Sequence, residues 1–154
     1  MTSSARRPKI IGIGGTIRPG SSTERALLVA LRAAEADGAE TTLLGGEFLA
    51  RLPIFNPSAP ETTPEQLELI EAVRMADGVI VASPGYHGSI SGVIKNALDT
   101  LEALAKDERP YFTDRAVGCI ITANGWQAAG TSLTTLRSVI HALRGWPTPY
   151  GAAF

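Results

Sequence analysis

A doubly wound, three-layer α/β sandwich is the fold expected of this chain, with one parallel sheet covered by helices on both faces. Three features carry that expectation. Strand-like runs such as Lys9-Ile10-Ile11-Gly12-Ile13 and Gly78-Val79-Ile80-Val81-Ala82 are apolar throughout, as strands buried on both faces must be. Stretches with apolar residues at helical spacing separate these runs, giving the order β-α-β-α-β-α-β-α-β. The chain has 154 residues, 44% of them hydrophobic, which suits one domain with one core. Right-handed crossovers between parallel strands then distribute the helices over the two faces.

Residues 1–8 are expected to be a disordered lead-in, and residues 9–154 the single domain. The first strand, residues 9–13, runs into Gly14-Gly15. The first helix, residues 22–36, places Leu27, Leu31 and Ala34 at helical spacing; Ser21 and Glu24 read as a capping box and Gly38 as the stop. Residues 41–44 form a short second strand, and 45–62 a loop holding Pro53, Pro57 and Pro60. Thr63-Pro64-Glu65-Gln66 is a second capping box, with proline at the first helical position of a helix reaching about Ala76. Residues 78–82 are the third strand, 93–105 the third helix, 116–121 the fourth strand and 131–143 the fourth helix. Residues 149–154 begin a fifth strand that no further helix covers. Because a parallel sheet needs both faces buried, either more chain beyond Phe154 or a neighbouring subunit is expected to cover strands four and five.

Composition removes several function classes. With 14 Lys+Arg against 15 Asp+Glu, the charge of −1 provides neither a nucleic-acid footprint nor an acidic tail. A lone cysteine and two histidines cannot build a Cys/His zinc cluster, and Cys119, inside a strand pattern, reads as core. Its apolar runs are far shorter than the roughly 18 residues of a membrane span. No signal-peptide pattern precedes residue 9, so a cytoplasmic setting is expected.

In sheets of this kind ligands bind outside the carboxyl ends of the strands, which narrows the search to loops 14–22, 83–92 and 122–130. In the first, position 17 is Ile, so the dinucleotide fingerprint lacks its third glycine; Ser21 stands where a Walker A lysine would be. A strand-to-helix loop remains, rich in hydroxyls (Thr16, Ser21, Ser22, Thr23) and holding the cation Arg18. Together with the free N–H groups of a helix start, these suit a phosphate monoester. Plain helix capping with a solvated Arg18 is the competing reading. In the second loop, Gly88-Ser89-Ile90-Ser91-Gly92 has Ile where a nucleophile elbow needs Ser, and no carboxylate stands near His87 to make it a general base. His87 therefore reads as a lining residue. His141, within a helix, reads as structural or surface.

These loops carry a resemblance. Gly14-Gly15-Thr16-Ile17-Arg18-Pro19-Gly20-Ser21-Ser22-Thr23 resembles the phosphate loop of the NADPH-dependent FMN reductase family. The segment from Ser83-Pro84-Gly85-Tyr86-His87-Gly88-Ser89 through Lys95-Asn96-Ala97-Leu98-Asp99 is similar to that family's Pro-x-Tyr-Asn…Lys-Asn-Ala-Leu-Asp segment. Three departures are visible: Thr16 for a serine, His87 for an asparagine, and Ser91 for a proline, the last expected to loosen the entry of the third helix.

The resemblance implies a flavodoxin-like sheet of order 2-1-3-4-5, lacking its final helix here. It implies FMN as cofactor, with Thr16, Arg18, Ser21, Ser22 and Thr23 on the phosphate. Pro84, Tyr86, His87, Gly88 and Ser89 would run along the isoalloxazine, the backbone N–H groups of all but Pro84 facing its pyrimidine edge, and Asn124 and Gly125 would contribute from a weakly matching third loop. The flavin would carry the chemistry, so no catalytic side chain and no metal is expected. NADPH or NADH would reduce it, and a flavin, quinone, azo dye or metal ion would accept. The family pattern also implies a homodimer or homotetramer, with residues 93–105 as the pairing candidate, and allows a flavin-dependent monooxygenase as partner. Two other readings stand beside this one: a flavodoxin-type electron carrier, against which the charge of −1 argues, and a flavin-free phospholigand-binding or scaffold domain.

Overall fold

The computed structural model of the chain describes residues 6–59 and 61–154. Elements follow in the order β1 (Lys9–Gly14), α1 (Ser22–Ala36), β2 (Glu40–Leu44), α2 (Gly46–Arg51), α3 (Pro64–Met75), β3 (Gly78–Tyr86) and β4 (Ser89–Ile90). Then come α4 (Gly92–Thr100), which tightens into a 3₁₀ turn over Leu101–Leu104, β5 (Ala116–Thr122), α5 (Trp126–Ala142), β6 (Trp146–Pro147) and β7 (Ala152–Ala153). Among the described residues the sheet order is β2-β1-β3-β5, with β6 and β7 both pairing with β5. Every pairing is parallel except the β3–β4 hairpin. This is the expected doubly wound, flavodoxin-like order.

One face of the sheet buries Ile11, Ile13, Val79, Val81, Val117 and Ile121 against Leu69 and Val73 of α3, Ile94 and Leu98 of α4, and Leu136 and Ile140 of α5. On the other face Leu27 and Leu31 of α1 pack over Ala82 and Ile120. Gly12 makes that approach possible, since a Cβ there would stand 2.8 Å from Leu31 Cδ1. No helix among the described residues is long and apolar enough to cross a membrane. Cys119 is buried in the strand as expected, and desolvation pushes its thiol up to about 11, so it is not a nucleophile.

The structure corrects several boundaries. Residues 46–51, expected within a loop, form α2 because Phe48, Leu49 and the following Leu52 bury themselves in the core. Residue 126, not 131, opens α5, with Gly125 as an extended N-cap; nothing in Trp126-Gln127-Ala128-Ala129 resists a helix, and Gly130 costs only about 1 kcal/mol. The fifth strand is split, since Pro147 and Pro149 lack the N–H groups of a continuous ladder. Ser91 caps α4 by accepting from Ile94 N, and its own N–H donates to the buried Ser83 Oγ at 2.9 Å, so the helix entry is held instead of loosened.

Of the expected lead-in, residues 6–8 are described. Residues 1–5 lie outside the described residues, but Arg6 pairs with Asp77 at 2.6 Å, Arg7 donates to Gly38 O and Ala39 O, and Glu40 N donates to Pro8 O. Asp77 also accepts from Lys9 N at 2.8 Å, and this backbone donor, with Arg6 behind it, holds its carboxyl below the ordinary value. A carboxylate depressed on folding adds stability above its unfolded pKa of about 3.9 and withdraws it as pH falls through the lower folded value. The wild-type urea midpoint is therefore expected to fall between pH 5 and pH 2 by more than that of Asp77→Asn. Equal losses in the two proteins would refute the assignment.

A feature the sequence reading did not register is Arg115, 2% exposed and immediately before β5. Its guanidinium donates to Ala76 O (3.0 Å), Arg74 O (2.8 Å), Tyr111 O (3.1 Å) and Thr113 O (3.2 Å). It thereby satisfies the last carbonyls of α3 and pins the 110–114 turn beneath the sheet.

Candidate functional site

The carboxyl ends of β1, β3 and β5 open into one groove of about 790 Å³. Its first wall is the loop between β1 and α1. Thr16 Oγ1 accepts from Arg18 N at 3.1 Å and turns the chain, while Ser21 Oγ caps α1 by accepting from Glu24 N. The second half of the expected capping box is absent: the Glu24 carboxylate accepts from Gly20 N and Gly46 N instead of from Ser21. At the start of α1 the N–H groups of Ser22 and Thr23 have no intrahelical partner. Ser22 is exposed, as is Arg18, whose guanidinium makes no ion pair among the described residues. Thr23 is buried, its hydroxyl 2.6 Å from that of Thr122 at the end of β5, which ties the first wall to the third.

The second wall is the end of β3. The expected loop 83–92 contains a tight hairpin: Gly85 pairs with Ile90 and Tyr86 with Ser89, with His87 (φ 51°) and Gly88 (φ 82°) at the turn. Two consecutive positive φ values are the signature of a type I′ turn, where Asn-Gly is preferred. Gly85 lies flat against α5, since a Cβ there would stand 2.9 Å from Ser132 Oγ. The third wall is Thr122, Ala123, Asn124 and Gly125, with Ala128 of α5 and Phe154 beside it.

Nine of the twelve expected site residues meet in this groove: Thr16, Arg18, Ser21, Ser22, Thr23, Pro84, Tyr86, Asn124 and Gly125. His87, Gly88 and Ser89 do not line it, because the hairpin carries them to its tip. Ile17, Gly85, Thr122, Ala123, Ala128 and Phe154 line it without having been singled out. Thr122 and Ala123 follow directly from the rule that ligands sit at strand carboxyl ends, once β5 is taken one residue further. Phe154 arrives only through the pairing of β7 with β5, where Ala123 N donates to Phe154 O at 2.8 Å.

A family model described as NADPH-dependent FMN reductase matches residues 8–154. The chain belongs to the NADPH-dependent FMN reductase family. It is 36% identical over 93 residues to an FMN-dependent NADPH-azoreductase of Staphylococcus aureus (strain USA300), a match covering 60% of this chain and 46% of that protein. The chain thus spans about half the length of the curated relatives it matches. Among solved structures, an oxidoreductase from Corynebacterium diphtheriae superposes with a TM-score of 0.75 at 20% identity, covering 94% of this chain and 80% of that one. The flavoenzyme NAD(P)H:(acceptor) oxidoreductase FerB from Paracoccus denitrificans gives 0.72 at 21%, covering 95% and 78%. At those identities the likeness concerns the fold alone.

This family member's donor set fits a phosphorylated flavin. One end of the groove offers a guanidinium, an exposed hydroxyl and the N–H groups of a helix start, which suit a phosphate monoester. The rest is lined by Pro84, Gly85, Tyr86, Asn124 and Gly125, flat and small groups that admit a planar ring, and its volume lies in the range of cofactor sites.

The family's Lys-Asn-Ala-Leu-Asp segment has a structural explanation here. Asn96 accepts from Phe55 N at 2.7 Å and donates to Pro53 O at 2.9 Å, holding the segment after α2 against α4, while Lys95 and Asp99 form an exposed i,i+4 ion pair.

His87→Asn is expected to stabilise the protein by up to about 1 kcal/mol, because asparagine tolerates the left-handed backbone better than histidine. For a chain of this size that is about 2–4 °C in Tm. A thermal melt checks it: a lower Tm for the variant would overturn the turn assignment.

Proposed function

We propose that this chain binds FMN in the groove and acts as an NAD(P)H-dependent oxidoreductase that passes electrons to a small aromatic acceptor such as a flavin, quinone or azo compound. The observation that carries this reading is the meeting of Arg18, the exposed Ser22 hydroxyl and the α1 N-terminus at one end of a groove lined by backbone and Tyr86 at the other, in a chain of this family.

FMN, when bound, supplies the two-electron redox chemistry. Arg18, Ser22 and the N–H groups at the start of α1 would hold its phosphate. Thr23 and Thr122, hydrogen-bonded to each other, keep the first and third walls in register. Pro84, Gly85, Tyr86, Asn124 and Gly125 would border the ring. Arg18 and Tyr86 are the ionisable side chains among the lining residues, so the groove is built to bind and orient, without a carboxylate or histidine to relay a proton. Half-exposed Tyr86 leaves one side of the groove accessible to NAD(P)H and then to an acceptor. Self-association and a cytoplasmic setting belong to the same reading; exposed Ile54, Leu67 and Met75 support the first and the buried, unpaired Cys119 the second.

Flavin fluorescence titration of the purified chain, followed by anaerobic addition of NADPH and NADH, tests the proposal. Quenching on binding and bleaching of the flavin band on reduction are expected. Absence of flavin binding would overturn it in favour of a flavin-free phospholigand domain; binding without NAD(P)H oxidation would favour an electron carrier.

A further inference from the structure

The groove's most polar wall is held by a carboxylate that does not line it. Glu24, in the first turn of α1, accepts from Gly20 N through Oε1 at 3.1 Å and from Gly46 N through Oε2 at 2.7 Å. It therefore joins the tip of the β1–α1 loop to the first turn of α2, two segments 26 residues apart that share no strand pairing. Three glycines make room for it. A Cβ at Gly45 would stand 2.8 Å from Oε2, at Gly46 3.3 Å, and at Gly15, which also has φ 118°, 3.2 Å. A Cβ at Gly46 would in addition collide with the Thr16 carbonyl oxygen, so the start of α2 is seated directly against the loop. Gly20 has φ 67° and nothing within 4 Å of its Cβ position; among the hydrogen bonds of the described residues, the one to Glu24 fixes its amide.

We infer that Glu24 is a positioning residue for the phosphate end of the flavin site. Resting on the functional reading above, this says that the carboxylate orients the 16–20 loop from behind and so presents Arg18 and the α1 N–H groups in a phosphate-binding arrangement. Glutamine cannot replace it, because a carboxamide accepts through one oxygen and its NH₂ would face the second backbone N–H. The α2 segment, distant in sequence from the loop, is tied to the phosphate end of the site by this side chain, in addition to the direct contact of Gly46 with the Thr16 carbonyl.

The test compares FMN with riboflavin, which lacks the phosphate, by fluorescence titration of wild type, Glu24→Gln and Glu24→Ala. Amide hydrogen exchange of Gly20 and Gly46 is measured on the flavin-free proteins. The expected result is an FMN dissociation constant raised roughly tenfold or more in both variants, as for loss of a charge-assisted hydrogen bond. The riboflavin constant should change by less than about twofold, with faster exchange at both glycines. Unchanged FMN affinity, or an equal loss for FMN and riboflavin, would overturn the inference. Should Glu24→Ala not fold, Glu24→Gln carries the comparison. Wild type binding neither flavin would instead sink the functional reading, and the exchange of Gly20 and Gly46 would still report whether Glu24 holds the loop.

Discussion

Arg18→Ala is expected to raise the FMN dissociation constant by about ten- to a hundredfold while leaving turnover at saturating FMN nearly unchanged. Arg18 is the cation of the groove, and its guanidinium has no ion-pair partner among the described residues, so nothing competes for it. A hydrogen bond to a charged group contributes roughly 1.5–3 kcal/mol, and the exposure of Arg18 places the effect toward the lower end. Raising the salt concentration should narrow the gap between wild type and variant, because the contact is electrostatic. Fluorescence titration at two ionic strengths measures both. Unchanged affinity would place the phosphate elsewhere, and a comparable loss for riboflavin would mean that the loop had collapsed.

Arg115→Met is expected to cost about 3–5 kcal/mol of folding stability, a larger effect than removing any surface ion pair of this protein. Methionine keeps most of the side-chain volume but leaves the carbonyls of Arg74, Ala76, Tyr111 and Thr113 without their donor. Each buried carbonyl left unpaired costs roughly 1–3 kcal/mol, and water entering beside the part-buried ones recovers some of the total. For a chain near 150 residues that corresponds to a Tm lower by roughly 10 °C. Arg115→Lys should recover part of the loss, since an ammonium keeps the charge but cannot reach four carbonyls as the planar fork does. A Tm within about 2 °C of wild type for Arg115→Met would show that these bonds contribute little.

These two arginines differ in how visible they were. Arg18 stands in a loop between an apolar strand and a capped helix, where a cation among hydroxyls has a chemical meaning that sequence alone conveys. Arg115 looks like any charged residue before a strand. Its role depends on the C-terminus of α3 and the 110–114 turn arriving at one point, and no local pattern encodes that meeting.

The second loop shows the same limit. The Tyr86–Ser89 segment carries the family resemblance, yet its residues separate in space. Tyr86 faces the groove, while the hairpin register of Gly85 with Ile90 turns His87 and Gly88 away. A one-residue change in such a register would reverse the faces, and register is set by cross-strand pairing and turn geometry. Glu24 was legible only as a helix cap, because its second partner, Gly46, lies beyond a whole strand.

What the sequence by itself determined is the layered parallel sheet, the order of its main elements and the concentration of hydroxyls around Arg18 in the first loop. Those follow from local regularities: unbroken apolar runs, helical spacing, a side-chain cap at Ser21, a capping box at Thr63, and hydroxyls beside a lone cation. Tertiary structure alone decided which residues face the groove, where α2 and the split fifth strand sit, and which polar groups brace the site from behind. The physical reason is reach. A period or a cap is written in neighbouring residues and can be read along the chain. The partners of Glu24 and Arg115, the Thr23–Thr122 contact and the position of Phe154 join segments that only the closed sheet brings within hydrogen-bonding distance.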